Sequence, residues 1–264
     1  MRTNSKFFKG SKFLPVDKFF QNVLYDESFG YYNSKFPFGK EGDFTTSPKI
    51  SNLFSEIIAI WIISTWENIG KPKNINIVEL GPGDGSLTKV LLDVFKKFKI
   101  FDNSKKLYLY EISPMLRGIQ KRNIGNKKVR WIKNFNYIKK GPIIFFGNEF
   151  FDSFPIKQFK VKRNILEEKY YVLEKNFEIS EVFKKTSKKD SNEIKKFKTL
   201  KKLKFIEFPK LGFKELTKII KKISKLGGCL LMIDYGYINS KNLDTLQSVL
   251  NHKRNKLLNN LGKA

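Results

Sequence analysis

At 264 residues the chain can bury one large core, or one core with an inserted lobe, and its 41% apolar and 29% charged residues exclude disorder over most of its length. A formal net charge of +27 raises nucleic acid as a partner, but the lysines are scattered through a chain also rich in Ile, Asn and Phe. Compositional bias is the better account, and no nucleic-acid partner is expected. A single cysteine, Cys229, and a single histidine, His252, exclude an internal disulfide and a His/Cys zinc cluster, so no metal is expected.

Residues 1–10 are basic and polar, with an apolar pair too short for a secretory signal or a membrane span, so no membrane insertion is expected. A short mitochondrial-type presequence is compatible with this start. Phe13 to Tyr25 has helical apolar spacing, and residues 26–32 read as a turn into an extended segment. Residues 39–47 read as a flexible, polar loop. Ser47-Pro48 is a helix-start signal, after which Ile50, Phe54, Ile57, Ile58, Trp61 and Ile62 share one helical face up to Gly70-Lys71-Pro72.

Strands are predicted at Asn76 to Leu80, Leu107 to Ile112, Val129 to Ile132 and Pro142 to Gly147, with helices at Leu87 to Phe98 and Pro114 to Arg122. That alternation implies parallel βαβ units. Past Pro155 the pattern changes to alternating segments at Lys157 to Arg163 and Lys169 to Leu173, an antiparallel ribbon inserted after the fourth strand. Lysine-rich Lys184 to Lys201 reads as loop or solvated helix. The parallel rhythm returns with a helix at Phe213 to Leu226 and a fifth strand at Cys229 to Asp234, in which Cys229 is a buried thiol; Asp244 to His252 is a last helix candidate.

The turn Glu79-Leu80-Gly81-Pro82-Gly83-Asp84-Gly85 joins a strand to a helix, and its glycines let a ligand approach the backbone. An ordinary tight turn has the same pattern, and the third glycine of a dinucleotide fingerprint is absent, since Ser86 and Leu87 follow Gly85. Glu111, at the end of the second strand, can accept both hydroxyls of an adenosine ribose, and Glu79 can face an ammonium group. Two acids repel a pyrophosphate but suit a cationic sulfonium, which favours S-adenosylmethionine over NAD. Asn148-Glu149-Phe150-Phe151-Asp152 follows the fourth strand, where ligands of such sheets collect. Glu149 and Asp152 either cap the next helix or orient a nitrogen nucleophile, for which a planar guanidinium is the fitting acceptor.

Six segments together resemble the MidA family of class I methyltransferases: Gly42-Asp43-Phe44-Thr45-Thr46-Ser47-Pro48, Val78-Glu79-Leu80-Gly81-Pro82-Gly83, Glu111-Ile112-Ser113-Pro114, Asn148 to Pro155, Ile233-Asp234-Tyr235-Gly236 and Asp244-Thr245-Leu246-Gln247. They run in family order across nearly the whole chain. The resemblance implies an α/β, Rossmann-like parallel sheet with an inserted antiparallel β lobe and an N-terminal helical region. It also implies that the sheet's last strands are missing from a truncated chain. The implied regions are a helical and cofactor-lid segment over residues 1–72, a cofactor-binding core over 73–155, a β-rich substrate lobe over 156–210 and a return to the core over 211–264.

The resemblance further implies S-adenosylmethionine binding by Gly42, Asp43, Thr45, Thr46, Ser47, Glu79, Gly81, Gly83, Gly85, Glu111 and Asn148, with Glu149 and Asp152 positioning the substrate. Asp84 stands where many relatives have arginine. The implied activity is protein arginine N-methylation on a subunit of respiratory complex I or a bacterial counterpart, supporting its assembly, in the cytoplasm of a bacterium or in the mitochondrial matrix. A non-catalytic cofactor-binding assembly factor and an RNA methyltransferase are the alternatives.

Overall fold

The computed structural model describes residues 4–34, 51–125, 128–236 and 242–263. The chain divides into two compact units, one of Phe36–Ser153 with Glu215–Tyr235 and the other of Met1–Lys35, Phe154–Lys214 and Gly236–Ala264.

The second unit comprises α1 (Ser5–Phe8), β1 (Phe13–Pro15), α2 (Val16–Tyr25) and α3 (Tyr31–Ser34) from the start of the chain. The first unit opens with α4 (Asn52–Asn68), β2 (Ile75–Leu80), α5 (Ser86–Phe95), α6 (Lys99–Ser104), β3 (Lys105–Tyr110), α7 (Pro114–Ile124), β4 (Val129–Ile132) and β5 (Ile143–Asn148). The chain continues with β6 (Lys157–Lys162), β7 (Ile165–Leu173), β8 (Ile179–Lys185), α8 (Lys188–Lys195), β9 (Phe205–Phe208), α9 (Lys210–Leu226) and β10 (Gly228–Ile233), and a hairpin of β11 (Ser248–Leu250) and β12 (Lys253–Asn255) follows.

In the first unit five parallel strands lie in the order β10-β5-β2-β3-β4. All six residues of β2 are buried. A strand covered on both faces needs apolar side chains pointing both ways. Ile75 and Ile77 accordingly join a cluster with Ile58, Ile62 and Leu91, while Val78 and Leu80 join another with Ile219. Strand order reverses between β2 and β5, and the carboxyl ends of strands at such a switch point are where ligands of open α/β sheets bind.

The helix before β2 corrects one expectation. Ser51, whose side chain accepts from Leu53 N, caps α4, and the Ser47-Pro48 signal lies outside the described residues. Ile57, assigned to the core face, is 59% exposed, as are Leu53 and Ile60 in large part, whereas Ile58, Ile62, Ile63 and Trp66 are buried. The helix is apolar on nearly every side, so its periodicity could not say which stripe would face the sheet. Cys229 is half-buried rather than enclosed, because β10 is an edge strand of this sheet.

The second unit is built on an antiparallel sheet. The long β7 pairs with β6, β1 and β8, and β6 pairs in turn with β9. Phe13 to Pro15 is thus a short strand, and only Val16 onward is helical. Residues 31–34 form a helical turn rather than an extended segment. Phe7, Phe8, Phe19 and Tyr171 fill one aromatic core, and Phe159, Ile206 and Phe208 another.

Residues 184–201, read as loop or solvated helix, begin in β8 and continue into α8, where Ile194 is buried. On this sheet Lys157 meets Asp17, Glu168 and Asp190, so one lysine of the surplus sits half-buried among carboxylates. The helix expected over Asp244 to His252 is the β11–β12 hairpin instead, reversing through Asn251 and His252 at φ 51° and 61°. Asp244 is occupied by Gln158 and Lys169, which hold that segment on the sheet and leave no run long enough for a helix.

The β6–β7 hairpin turns through Arg163 and Asn164, both in the left-handed region at φ 48° and 62°. Asparagine tolerates that conformation and arginine resists it. Arg163→Asn is therefore expected to stabilise the protein by about 0.5–1 kcal/mol, read as a rise in the midpoint of thermal unfolding. An unchanged or lowered midpoint contradicts the strain argument.

Candidate active site

The end of β2 runs through Gly81, Gly83 and Gly85 into α5. Gly81 has φ 61°, and a Cβ there would sit 2.9 Å from Cδ2 of Phe150, in the segment after β5. Its missing side chain thus lets two loops close on each other. Gly81 N donates to Tyr110 O at 3.1 Å, and Gly83 O accepts from Gln120 Nε2 at 2.8 Å. Asp84 turns its carboxylate to Ser86 N at 3.0 Å, closing the turn onto the start of the helix.

Glu79 is 2% exposed, and its carboxyl accepts from Thr88 Oγ1. Burial, with Asp84 adding a like charge, pushes its pKa from the ordinary 4.5 to about 8, so it keeps its proton at neutral pH. Between those two values the folded chain binds more protons than the unfolded one, and stability falls as pH rises from about 4.5 to about 8. Glu79→Gln, which has no proton to lose, is expected to flatten that fall in urea midpoints measured against pH. A variant with the same slope as the parent contradicts the assignment.

Glu111 follows β3 and is 7% exposed. Its Oε1 accepts from Ser113 N at 2.8 Å and its Oε2 from Gln120 Nε2 at 3.1 Å. Arg117 donates from Nε and Nη2 to Glu111 O at 2.9 and 2.7 Å. A carboxylate has about four lone-pair sites, and these bonds do not exhaust them, so the group can still accept from a ligand hydroxyl. Gln120, fully buried, touches both Glu111 and Gly83, and Trp131 Nε1 holds its Oε1 at 2.8 Å. It joins the two halves of the site, and sequence reasoning passed over it because a lone glutamine within a helix carries no signal.

On the other side, β5 ends at Asn148, whose Nδ2 is 3.4 Å from Glu149 Oε1. Glu149 takes φ 51°, and its N donates to Ile233 O at 2.8 Å. Burial raises the Glu149 carboxyl above the ordinary range, and Asp234 adds to the effect. Asp152 is exposed as a residue, yet desolvation of its carboxyl and the charges of Asp234 and Glu149 raise it above the ordinary carboxylate range. Asp234, the residue after β10, was also passed over as a site residue, although it lies in the Ile233-Asp234-Tyr235-Gly236 segment.

Glu79, Gly81, Gly83, Gly85, Glu111, Asn148, Glu149 and Asp152 thus gather at the carboxyl ends of β2, β3 and β5. Gly42, Asp43, Thr45, Thr46 and Ser47 lie outside the described residues. Acidic groups around a glycine-rich turn fit a cationic ligand carrying a ribose better than a pyrophosphate. Among the described residues no helix is long and apolar enough to cross a membrane.

A family model described as "Putative S-adenosyl-L-methionine-dependent methyltransferase" matches residues 57–264. The protein arginine methyltransferase NDUFAF7, mitochondrial, of Xenopus laevis is 29% identical over 95% of this chain and 63% of its own length. The Homo sapiens protein of that name is 27% identical over 93% of this chain and 60% of its own. The chain therefore spans under two thirds of these relatives. A crystal structure from Burkholderia thailandensis, bound to S-adenosyl-homocysteine, superposes with a TM-score of 0.78 at 18% identity, covering 95% of this chain and 67% of that one. At that identity the likeness shows a shared fold.

Proposed function

The chain belongs to the S-adenosyl-L-methionine-dependent methyltransferase family, and on that premise we propose that it binds S-adenosylmethionine and methylates a guanidinium nitrogen of a protein arginine. The observation that carries this reading is the carboxylate pair Glu149 and Asp152 at the end of β5, next to the glycine turn that Phe150 closes. Two acids there suit a planar cation that forms paired hydrogen bonds. The names of the relatives, protein arginine methyltransferases, support the same acceptor.

Bound S-adenosylmethionine would supply an electrophilic methyl group on a sulfonium. The Gly81–Gly85 turn and Glu111 would hold it, with Glu79 and Asn148 beside them. Glu149 and Asp152 would hold the guanidinium so that one nitrogen faces the methyl carbon in line. Such placement, rather than strong acid–base chemistry, is the main contribution to methyl transfer from a sulfonium. On the strength of the family resemblance, the acceptor is a subunit of respiratory complex I or its bacterial counterpart, and methylation supports its assembly. The setting is then the cytoplasm of a bacterium or the mitochondrial matrix.

The test is transfer of labelled methyl from S-adenosylmethionine into a lysate lacking this protein, with mass spectrometry of the labelled species. Methylarginine in a protein is the expected result. Label in RNA alone overturns the acceptor, and cofactor binding without any transfer overturns the catalytic role.

A further inference from the structure

We infer that Asp234 is a positioning residue for the acceptor: its carboxylate ties the turn carrying Asp152 to the end of β10 and adds its own negative charge beside Glu149 and Asp152, facing a cationic acceptor. The inference deepens the arginine methylation reading and rests on it.

Strands β5 and β10 run parallel with Asn148 opposite Ile233, so Glu149 and Asp234 leave the sheet side by side. Glu149 N donates to Ile233 O at 2.8 Å, extending the ladder by one bond. From there Asp234 takes over. Its Oδ2 accepts from Phe151 N at 3.1 Å and from Asp152 N at 3.2 Å, and its Oδ1 accepts from Tyr235 N at 2.9 Å. One carboxylate therefore fixes amides on both strand ends. Between those anchors Glu149 adopts φ 51°, a left-handed conformation that a residue with a side chain resists. The bonds on either side hold it there and set the direction of its carboxyl. Tyr235, 79% exposed, follows Asp234 and gives its hydroxyl to Glu149.

A carboxylate that served only to satisfy amides could be replaced by any oxygen acceptor. Here the charge also matters, because beyond desolvation the charges of Asp234 and Glu149 favour a proton on the exposed Asp152, and among the described residues Tyr235 is a further ionisable group beside them. A guanidinium arriving among these acids would favour loss of that proton and be held by the resulting charge. The site is then biased toward a cation and against a neutral or anionic acceptor.

The experiment compares Asp234→Asn and Asp234→Ala with the parent, all saturated with S-adenosyl-homocysteine. The readouts are titration of the Asp152 carboxyl by carbon-13 NMR and binding of acetyl-arginine amide by calorimetry. Asparagine keeps an oxygen for Phe151 N and Asp152 N but removes the charge. Asp234→Asn is expected to lower the Asp152 midpoint by about one pH unit and to weaken acetyl-arginine amide about tenfold, with S-adenosyl-homocysteine affinity unchanged. Asp234→Ala is expected to weaken the probe further and to lower the thermal midpoint as well. If Asp234→Asn leaves the Asp152 titration and probe affinity at their parent values, Asp234 is a backbone cap only and the inference falls, even with arginine methylation intact. Methyl label found only in RNA sinks the function reading instead, and does so without altering these binding and titration results.

Discussion

Replacing Glu149 by Gln is expected to leave cofactor affinity at the parent value and to slow methyl transfer to the protein acceptor about a hundredfold, a loss of about 2.7 kcal/mol of transition-state stabilisation. The carboxylate lies at the end of β5, half-buried, with its backbone N held by Ile233 O and its side chain met by Asn148 and Tyr235. An ionised carboxylate offers only acceptors, so both of its oxygens can receive guanidinium N–H groups. Glutamine keeps one acceptor and turns an NH2 toward a cation that has only donors, so one paired hydrogen bond becomes a repulsion. The volume is nearly unchanged, which separates the loss of charge from any collapse of the turn. Single-turnover transfer, followed by mass spectrometry of the acceptor, reads the rate, and calorimetry with S-adenosyl-homocysteine reads the cofactor side. Undiminished product would remove Glu149 from the acceptor site. A parallel loss of cofactor affinity would make it part of the cofactor site instead.

Glu111→Ala is expected to weaken S-adenosyl-homocysteine by about a hundredfold or more, since hydrogen bonds to a charged acceptor contribute about 1.5–3 kcal/mol each. Two effects act together. The ribose hydroxyls lose their acceptor, and Ser113 N and Gln120 Nε2 lose theirs. Gln120 also holds Gly83 O, so the glycine turn loses part of its support. Far-ultraviolet circular dichroism distinguishes a loosened turn from an unfolded protein, and calorimetry gives the affinity. Unchanged affinity would assign Glu111 a purely structural role as acceptor for Ser113 and Gln120.

Much of the parallel sheet was legible because its strands are short apolar runs separated by glycine, proline and helix caps. Val129 to Ile132 has the predicted bounds, and β2, β3, β5 and β10 differ from prediction by one or two residues at their ends. The helix predicted from Pro114 to Arg122 is α7, which Ser113 caps, its Oγ accepting from Leu116 N. The failures have a shared cause. In α4 nearly every side chain is apolar, so no stripe identifies the buried face. In Asp244 to His252 the expected helix was overridden by the side-chain contacts of Asp244 and by two left-handed residues at the hairpin turn. Local pattern decides an element only where tertiary contacts do not oppose it.

For the site, the sequence by itself determined the glycine turn, the acid after the second strand and the acids after the fourth, because a strand followed by glycine or acid places those residues at a sheet's carboxyl edge. It could not place Asp234 within hydrogen-bonding reach of Phe151 and Asp152, residues 82 or more positions away, since that depends on β10 pairing with β5. Nor could it pick Gln120 as the link between Gly83 and Glu111, or Lys157 as a half-buried lysine among carboxylates. Residue type and spacing report what a side chain can do. Which partner it meets, and hence its charge state and role, is set by strand order and burial, which only the tertiary structure fixes.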